Sequence, residues 1–313
     1  MGYSHLFGPV LSRRLGRSLG VDLVPHKTCS YDCVYCEVGS TTHRTTTREE
    51  YFPPHEIEEE LALFLSPTPD LDFITLSGSG EPTLSLSLGR IIRYVKSNFS
   101  SYPLAVLTNG SMLWDPAVRE ELIPADVILP TLSTVEEESF QKIHRPAPGL
   151  TIQKVIHGLR DFREVYKGEI WLEVFLIPGI NMEREGLAAL GATIRDIRPE
   201  RVQLNTLDRP GTEPWVSPAT HEELAEAARL MGLPGSEPIK SVVYGGPRPS
   251  CVENAAAIIR DILKRRPSTA KDLSEATGLH LHEVGKILRE MSRDGKLSTC
   301  REERGIFYSW TGD

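Results

Sequence analysis

The sequence predicts an α/β fold, a wound parallel sheet or partial barrel, followed by a small domain with the element order of a winged helix-turn-helix. Three observations carry this reading. Apolar, β-rich runs alternate with amphipathic helical patterns as far as residue 232 or so, and such alternation implies parallel strands joined by helical crossovers. Past the Gly- and Pro-dense stretch "YGGPRPSC" (244–251), the pattern changes to three helices and a hairpin. The composition, 40% hydrophobic and 25% charged over 313 residues, is that of a globular chain long enough for one large and one small domain. The expected boundaries are 1–245 and 246–313.

Six strands are expected. The first, "GRSLGVDLVP" (16–25), runs directly into a cysteine-rich loop. "HEIEEELALFL" (55–65) places Ile57, Leu61 and Phe64 on one helical face before the second strand, "DFITLSGSG" (72–80). "LGRIIRYVKSNF" (88–99) is helical and leads to "PLAVLTNGS" (103–111) and then "DVILPTLS" (126–133). The helix "TIQKVIHGLRDFREVY" (151–166) precedes "IWLEVFLIPGIN" (170–181), and a helix near 184–196 precedes "RVQLNTL" (201–207). The polar stretch "STTHRTTTREE" (40–50) is a connecting loop, and no internal repeat occurs. No apolar run approaches the roughly 20 residues that span a bilayer. Arg13, Arg14 and Arg17 interrupt the apolar residues at the N-terminus, so no signal peptide is expected. The protein is therefore expected in the cytoplasm and away from membranes, and its net charge of −8 disfavours a surface given wholly to nucleic acid.

Cys29, Cys33 and Cys36 fall within eight positions of a chain that has five cysteines, too few for a disulfide scaffold. Thiolates converging from one loop at the end of a strand suit an iron–sulfur cluster. Zinc is the rival, but a structural zinc site takes four ligands, and only His26 stands nearby as a fourth. Three ligands on a four-iron cluster would leave one iron open to another molecule.

These residues resemble the signature of the radical S-adenosylmethionine (radical SAM) superfamily, Cys-x-x-x-Cys-x-aromatic-Cys, here Cys29, Cys33, Tyr35 and Cys36. The superfamily's Gly-Gly-Glu-Pro segment has a counterpart in Ser79-Gly80-Glu81-Pro82, with serine in place of the first glycine. The resemblance covers roughly residues 5–245. It implies a partial (β/α)6 barrel, a 4Fe-4S cluster at the strands' C-terminal mouth and S-adenosyl-L-methionine as cofactor. Within the superfamily, "SGSGEPTL", "LPTLSTVEEESFQKIHRP" and "VQLNTLDRPGTEPWV" resemble the group related to the wyosine base-forming tRNA enzymes. Those enzymes hold a second cluster on three further cysteines upstream; no cysteine precedes Cys29 in this sequence.

The resemblance implies reductive cleavage of S-adenosylmethionine and hydrogen abstraction from a substrate, macromolecular or small, with a reducing donor such as flavodoxin or ferredoxin. Ser79, Gly80 and Glu81 would hold the methionyl amine. Thr108, Asn109, Ser133, Glu173 and Asn205 are further cofactor-contacting candidates by their place at strand ends and in the lumen. Each has a plainer reading. Thr108-Asn109-Gly110 makes an ordinary turn, Ser133 caps a helix starting at Val135, and Asn205 and Asp208 terminate a strand. Glu173 inside "WLEVFLI" is harder to set aside, because a buried carboxylate needs a partner. His144-Arg145-Pro146 resembles a recurrent turn of the superfamily or forms a charged surface loop. A glycyl-radical activating enzyme and an iron–sulfur redox-sensing transcription regulator are the rival functions; a sensor would not need the Ser-Gly-Glu-Pro segment.

In the small domain Lys286, Arg289, Arg293 and Lys296 form a basic edge, interleaved with Glu283, Glu290 and Asp294. From Val252 onward there are eleven basic and ten acidic residues, little surplus for phosphate binding. Substrate presentation or protein contact and nucleic-acid binding both stay open as its role. Cys251 and Cys300 read as free thiols.

Overall fold

The six strands expected from the sequence form one parallel run in a larger sheet. The structure is a computed structural model and describes residues 3–233, 236–238 and 255–312; the expected linker, the domain boundary within it and Cys251 lie outside them. An N-terminal hairpin, β1 (Leu6–Ser12) and β2 (Gly16–Val21), leads to a short pair, β3 (Thr28–Cys29) and β4 (His43–Arg44). There follow α1 (Pro54–Leu65), β5 (Phe73–Leu76), α2 (Leu88–Asn98), β6 (Leu104–Thr108), α3 (Pro116–Leu122) and β7 (Val127–Pro130). Then come α4 (Glu137–His144), α5 (Ile152–Val165), β8 (Glu169–Phe175), α6 (Arg184–Ile197), β9 (Arg201–Asn205), α7 (His221–Met231) and β10 (Glu237–Pro238). The sheet order is β1-β2-β5-β6-β7-β8-β9-β10, with β1 antiparallel and every other neighbour parallel.

Strand alternation sorts the side chains. Ile74, Leu76, Leu104, Val106, Ile128, Ile170, Leu172 and Val174 pack in the main core with helix residues such as Leu61, Ile91, Leu159 and Leu190. The opposite phase, Phe73, Ala105, Leu107, Val127, Leu129 and Trp171, forms a second cluster inside the curved sheet. Leu15, from the turn of the β1–β2 hairpin, inserts into that cluster. The hairpin thus fills the lumen near the strands' N-terminal ends. The sequence pattern hid β1, because Gly8 and Pro9 break it; a proline is tolerated on an edge strand, where its missing N–H leaves no ladder bond unmade.

Helix ends follow local chemistry. Pro54 starts α1 at a position that needs no N–H, Thr151 caps α5 by accepting from the Lys154 N–H, and Thr220 and Glu223 close a capping box on α7. Helix α4 departs from expectation. It starts at Glu137 rather than Val135, no side chain caps it, and the Ser133 hydroxyl instead accepts from the Phe175 N–H at 3.1 Å. The cap reading of Ser133 is therefore incorrect. No helix among the described residues is long and apolar enough to cross a membrane.

The C-terminal unit contains α8 (Ala255–Arg265), β11 (Ser268–Thr269), α9 (Ala270–Thr277), α10 (Leu281–Arg293), β12 (Leu297–Glu302) and β13 (Gly305–Trp310). The expected order of three helices and a hairpin is present, with the two-residue β11 added to a sheet ordered β11-β13-β12. Its core of Ile259, Leu263, Leu273, Val284 and Leu288 is separate from the main one. Helices α8 and α9 nonetheless lie on β1, and ion pairs from α9 and the β12–β13 turn reach Asp208 and Arg209, just past β9. The unit therefore touches both ends of the parallel run, bridging the side on which the sheet does not close.

Candidate functional site

Residues 26–39, which include the two-residue β3, form a loop in the connection that leaves the C-terminal end of β2. Lys27 takes a left-handed backbone conformation, φ 60°, and its N–H donates to the Ser79 carbonyl at 2.7 Å. The Glu81 N–H donates to the Thr28 carbonyl at 3.0 Å. The loop and the Ser-Gly-Glu-Pro segment are thus laced backbone to backbone. Gly80 must be glycine for this, since a Cβ there would stand 2.0 Å from the Thr28 carbonyl oxygen. The Cys33 backbone is fixed through its neighbours: Asp32 and Val34 N–H groups donate to the His144 and Ile143 carbonyls at 2.9 and 3.0 Å. Thr212 donates its hydroxyl to the Cys33 and Cys36 carbonyls at 3.0 and 3.2 Å.

All three thiols are partly buried, and each meets a different partner. Cys29 Sγ lies 3.5 Å from the Tyr31 N–H nitrogen and 3.5 Å from Asn109 Nδ2. Cys33 Sγ is 3.3 Å from His144 Nδ1, and Lys27 Nζ donates to Cys36 Sγ at 3.2 Å. Burial, then the Glu81 charge, pushes the Cys29 thiol up to about 12. Burial, with Cys29 and Cys36 close by, pushes Cys33 well above the usual thiol value. Burial holds the His144 imidazole down at about 3, so it is neutral at ordinary pH. Raised in this way, the Cys29 and Cys33 thiols stay protonated at ordinary pH, whereas a bound cation deprotonates coordinating thiols outright.

Among the described residues no three His, Cys, Asp or Glu side chains stand close enough to hold a single metal ion. The three thiols act on one another electrostatically without closing on one ion-sized point. His26 is exposed, and the charges acting on it are Lys27, Asp22 and Arg265. The donor set suits an iron–sulfur cluster: three cysteines from one loop, spaced for a group larger than one ion.

Glu81 is buried at 2% exposure. Its Oε1 accepts from the Thr83 N–H at 3.1 Å, the Thr83 hydroxyl at 2.5 Å and the Thr108 hydroxyl at 2.6 Å; Oε2 accepts from the Asn109 N–H at 2.7 Å. Burial raises its pKa, and these four hydrogen bonds pull the other way. Asn109 turns its side chain to the cysteine loop, donating to the Ser30 hydroxyl at 2.8 Å, and Ser30 and Ser111 hydroxyls meet at 2.6 Å. Thr108, Asn109 and Glu81 therefore come together as one network supporting the loop. Gly110, at φ +75°, makes the turn that the sequence also allowed.

Tyr35 stacks on Phe175 with ring centroids 3.7 Å apart and an interplanar angle of 10°, and meets His144 edge-on. Glu173, buried at 8% exposure, points into the lumen, where it pairs with Arg14 and accepts from Asn205 Nδ2 at 3.3 Å. Ser133 lies buried against the end of β8 rather than with the cysteine loop. Ser79 is buried; its N–H donates to Asp22 at 3.0 Å, and its hydroxyl accepts from Arg265 of α8 at 3.4 Å. The serine in place of the first glycine is thus met by the C-terminal unit.

The sequence reading missed Arg14 and Lys27. Arg14 figured only as a break in an apolar run, although two arginines at the tip of a lumen-filling hairpin are the available signal. His144 had been singled out only as part of a turn. A cavity of about 460 Å³ lined by Pro178, Met182, Leu187, Glu226 and Leu230 lies between α6 and α7 and borders none of these residues.

Residues 23–190 match the radical SAM superfamily. Over 311 residues the chain is 30% identical to the UPF0026 protein MJ1312 of Methanocaldococcus jannaschii, covering 96% of this chain and 94% of that one. It is 34% identical over 303 residues to a Brachyspira hyodysenteriae protein named GTPase Obg, covering 95% of this chain but 43% of the length of that relative. A solved structure of TYW1 with a lysine-pyruvate adduct bound shares the fold at a TM-score of 0.50 and 17% identity, covering 72% of this chain and 75% of that one.

Proposed function

The chain belongs to the radical SAM superfamily, an enzyme family whose members bind a 4Fe-4S cluster and S-adenosylmethionine, and on that premise we propose how its residues serve that chemistry. Cys29, Cys33 and Cys36 hold the cluster, and Ser79, Gly80 and Glu81 hold the methionyl end of the cofactor. Held there and reduced by a donor such as flavodoxin or ferredoxin, cluster and cofactor would supply the radical chemistry for hydrogen abstraction from the substrate. The observation that carries the reading is the backbone lacing of the cysteine loop to the Ser-Gly-Glu-Pro segment, which holds the two segments in a fixed relation and would hold a cluster and cofactor so.

The residues divide the work. Glu81 spends four acceptor contacts on Thr83, Thr108 and Asn109, which leaves Oε2 room for one further donor such as an amine. Lys27 places a positive charge on Cys36 and so offsets the negative charge of ligating thiolates. Tyr35 on Phe175 excludes water from one side of the loop. Glu173, Arg14 and Asn205 form the polar floor of the lumen on which a substrate would rest. The C-terminal unit, with its helices and three-stranded sheet in winged-helix order, closes the open side of the barrel and presents the substrate, protein-borne, nucleic-acid-borne or free.

The test is a titration of anaerobically reconstituted, reduced protein with S-adenosylmethionine, followed by electron paramagnetic resonance. A changed cluster signal on addition is expected. An unchanged signal at saturating cofactor, with the cluster intact, removes the proposed open iron site.

A further inference from the structure

The seam between barrel and C-terminal unit gathers five guanidinium groups, Arg13, Arg14, Arg209, Arg266 and Arg304, against four carboxylates, Glu37, Glu173, Asp208 and Asp272. The pairs are specific. Arg14 pairs with Glu173; Arg209 reaches Asp272 at 2.7 Å and Glu37 at 3.5 Å. Arg304 reaches Asp208 at 2.5 Å and Asp272 at 2.7 Å, and Arg13 stands 3.4 Å from the same Asp208. Arg266 is left over. It is partly buried, and its side chain makes no hydrogen bond or ion pair with any described residue, although Arg209, Glu37, Asp272 and Arg13 all act on its charge. Its neighbour Pro267 gives its carbonyl to Arg209 at 3.1 Å, so the backbone at this corner is fixed.

An arginine taken out of bulk water without an anion is costly to keep and cannot discharge itself, because guanidinium stays protonated. No carboxylate among the described residues closes on it, which leaves its fork free for an anion. Its place is set by the neighbours: Glu37 follows Cys36 directly, and Arg14 runs from this cluster to Glu173 in the lumen. The Ser-Gly-Glu-Pro side of the mouth is served by a different residue, Arg265, which pairs with Asp22 and Ser79.

We propose that Arg266, with Arg13 beside it, binds an oxyanion of the substrate, a carboxylate or a phosphate, at the seam where the C-terminal unit closes the barrel. The planar fork of a guanidinium suits both groups bidentately. The assignment rests on the barrel being the active site proposed above, and it makes the C-terminal unit part of that site.

The experiment is calorimetric titration of the anaerobically reconstituted full chain with inorganic phosphate and, separately, with succinate, in a buffer free of both. Saturable binding of one of them identifies the group. Arg266→Gln and Arg13→Gln should weaken it by roughly ten- to a hundredfold, the worth of a hydrogen bond between charged groups. Arg293→Gln, exposed on α10, should leave it unchanged. The ligand-free Arg266→Gln protein should melt no lower than the parent, since a charge without a partner is being removed. Should it not fold, Arg266→Lys, which keeps the charge but not the fork, replaces it and should show the same loss. Absence of saturable binding to the parent, parent-like affinity in both Gln variants, or a loss of S-adenosylmethionine affinity in place of anion affinity would overturn the proposal. Cluster content and cofactor binding are measured in the same samples, so failure of the radical SAM reading is seen separately from failure of the anion site.

Discussion

The cysteine loop and the seam beneath the C-terminal unit meet at Glu37, yet they are held by different forces. The loop is fixed by backbone hydrogen bonds, buried aromatic rings and short hydroxyl contacts such as Ser30 to Ser111 at 2.6 Å. The seam is fixed by ion pairs among arginines and carboxylates. A site that must keep sulfurs in register for a rigid cluster is served by short, directional contacts. The seam, proposed above to close over a substrate, is held by charges, which act at longer range and answer to pH and salt. The difference predicts how each region fails.

The largest effect belongs to the loop. Each of Cys29→Ala, Cys33→Ala and Cys36→Ala should lower iron from about four per chain to a small residue after anaerobic reconstitution, read by iron and sulfide analysis. The seam should be spared in these variants, so their melting should stay cooperative.

Cutting the chain at residue 250 attacks the seam instead. The two cores are separate, so the barrel should keep its helices and strands, but Arg209, 8% exposed, would lose Asp272. Removing the unit also uncovers Arg209 to water and leaves it Glu37, so the loss is that of the seam pairs and of the packing of α8 and α9 on β1. A melting temperature lower by many degrees is expected, and an unchanged one would show that the ion pairs contribute little.

Glu81→Ala lies between the regions in effect. It removes acceptors from Thr83, Thr108 and Asn109 as well as the proposed amine contact, and should weaken S-adenosylmethionine about ten- to a hundredfold while iron content stays near that of the parent.

A subtler effect is the seam's response to acid. Burial alone would raise the Asp272 carboxyl, but Arg209, the Thr269 N–H and Arg304 bring it down to about 2 in the folded chain from an ordinary value of 3.8. Stability from this group is therefore present above pH 4 or so and lost as pH falls toward 2, on the order of 2 kcal/mol in all. The stability difference between the parent and Asp272→Asn should hold constant from neutral pH to about 5 and shrink below it. A flat difference down to pH 2 would contradict the pairing.

The smallest effect is at Cys300, exposed on β12 with its Sγ 3.3 Å from Glu302. Cys300→Ser should leave iron content and melting unchanged.

The two regions also differ in how much of them the sequence disclosed. The loop was legible because its chemistry is local: three cysteines within eight positions and one Ser-Gly-Glu-Pro segment state the donor set before any fold is known. The six parallel strands were legible because alternation and crossover helices repeat along the chain. What stayed hidden depends on distance in sequence. Arg14 meets Glu173 across 159 positions and Arg265 meets Asp22 across 243, pairs that no periodicity records. Ser133 misled for the opposite reason, since its neighbours made a good local cap while the tertiary fold sent its hydroxyl to Phe175. Glu81 was identified as a ligand-facing acid, and most of its acceptor capacity turned out to hold the loop.

The central claim is that the cysteine loop and the Ser-Gly-Glu-Pro segment together support reductive cleavage of S-adenosylmethionine. Its most direct measurement is 5′-deoxyadenosine released by the anaerobically reconstituted full chain with S-adenosylmethionine and dithionite, compared with Cys33→Ala treated identically. The account predicts release from the parent and none above background from the variant. Stoichiometric zinc in the natively purified parent, with no 5′-deoxyadenosine released after reconstitution, would contradict it.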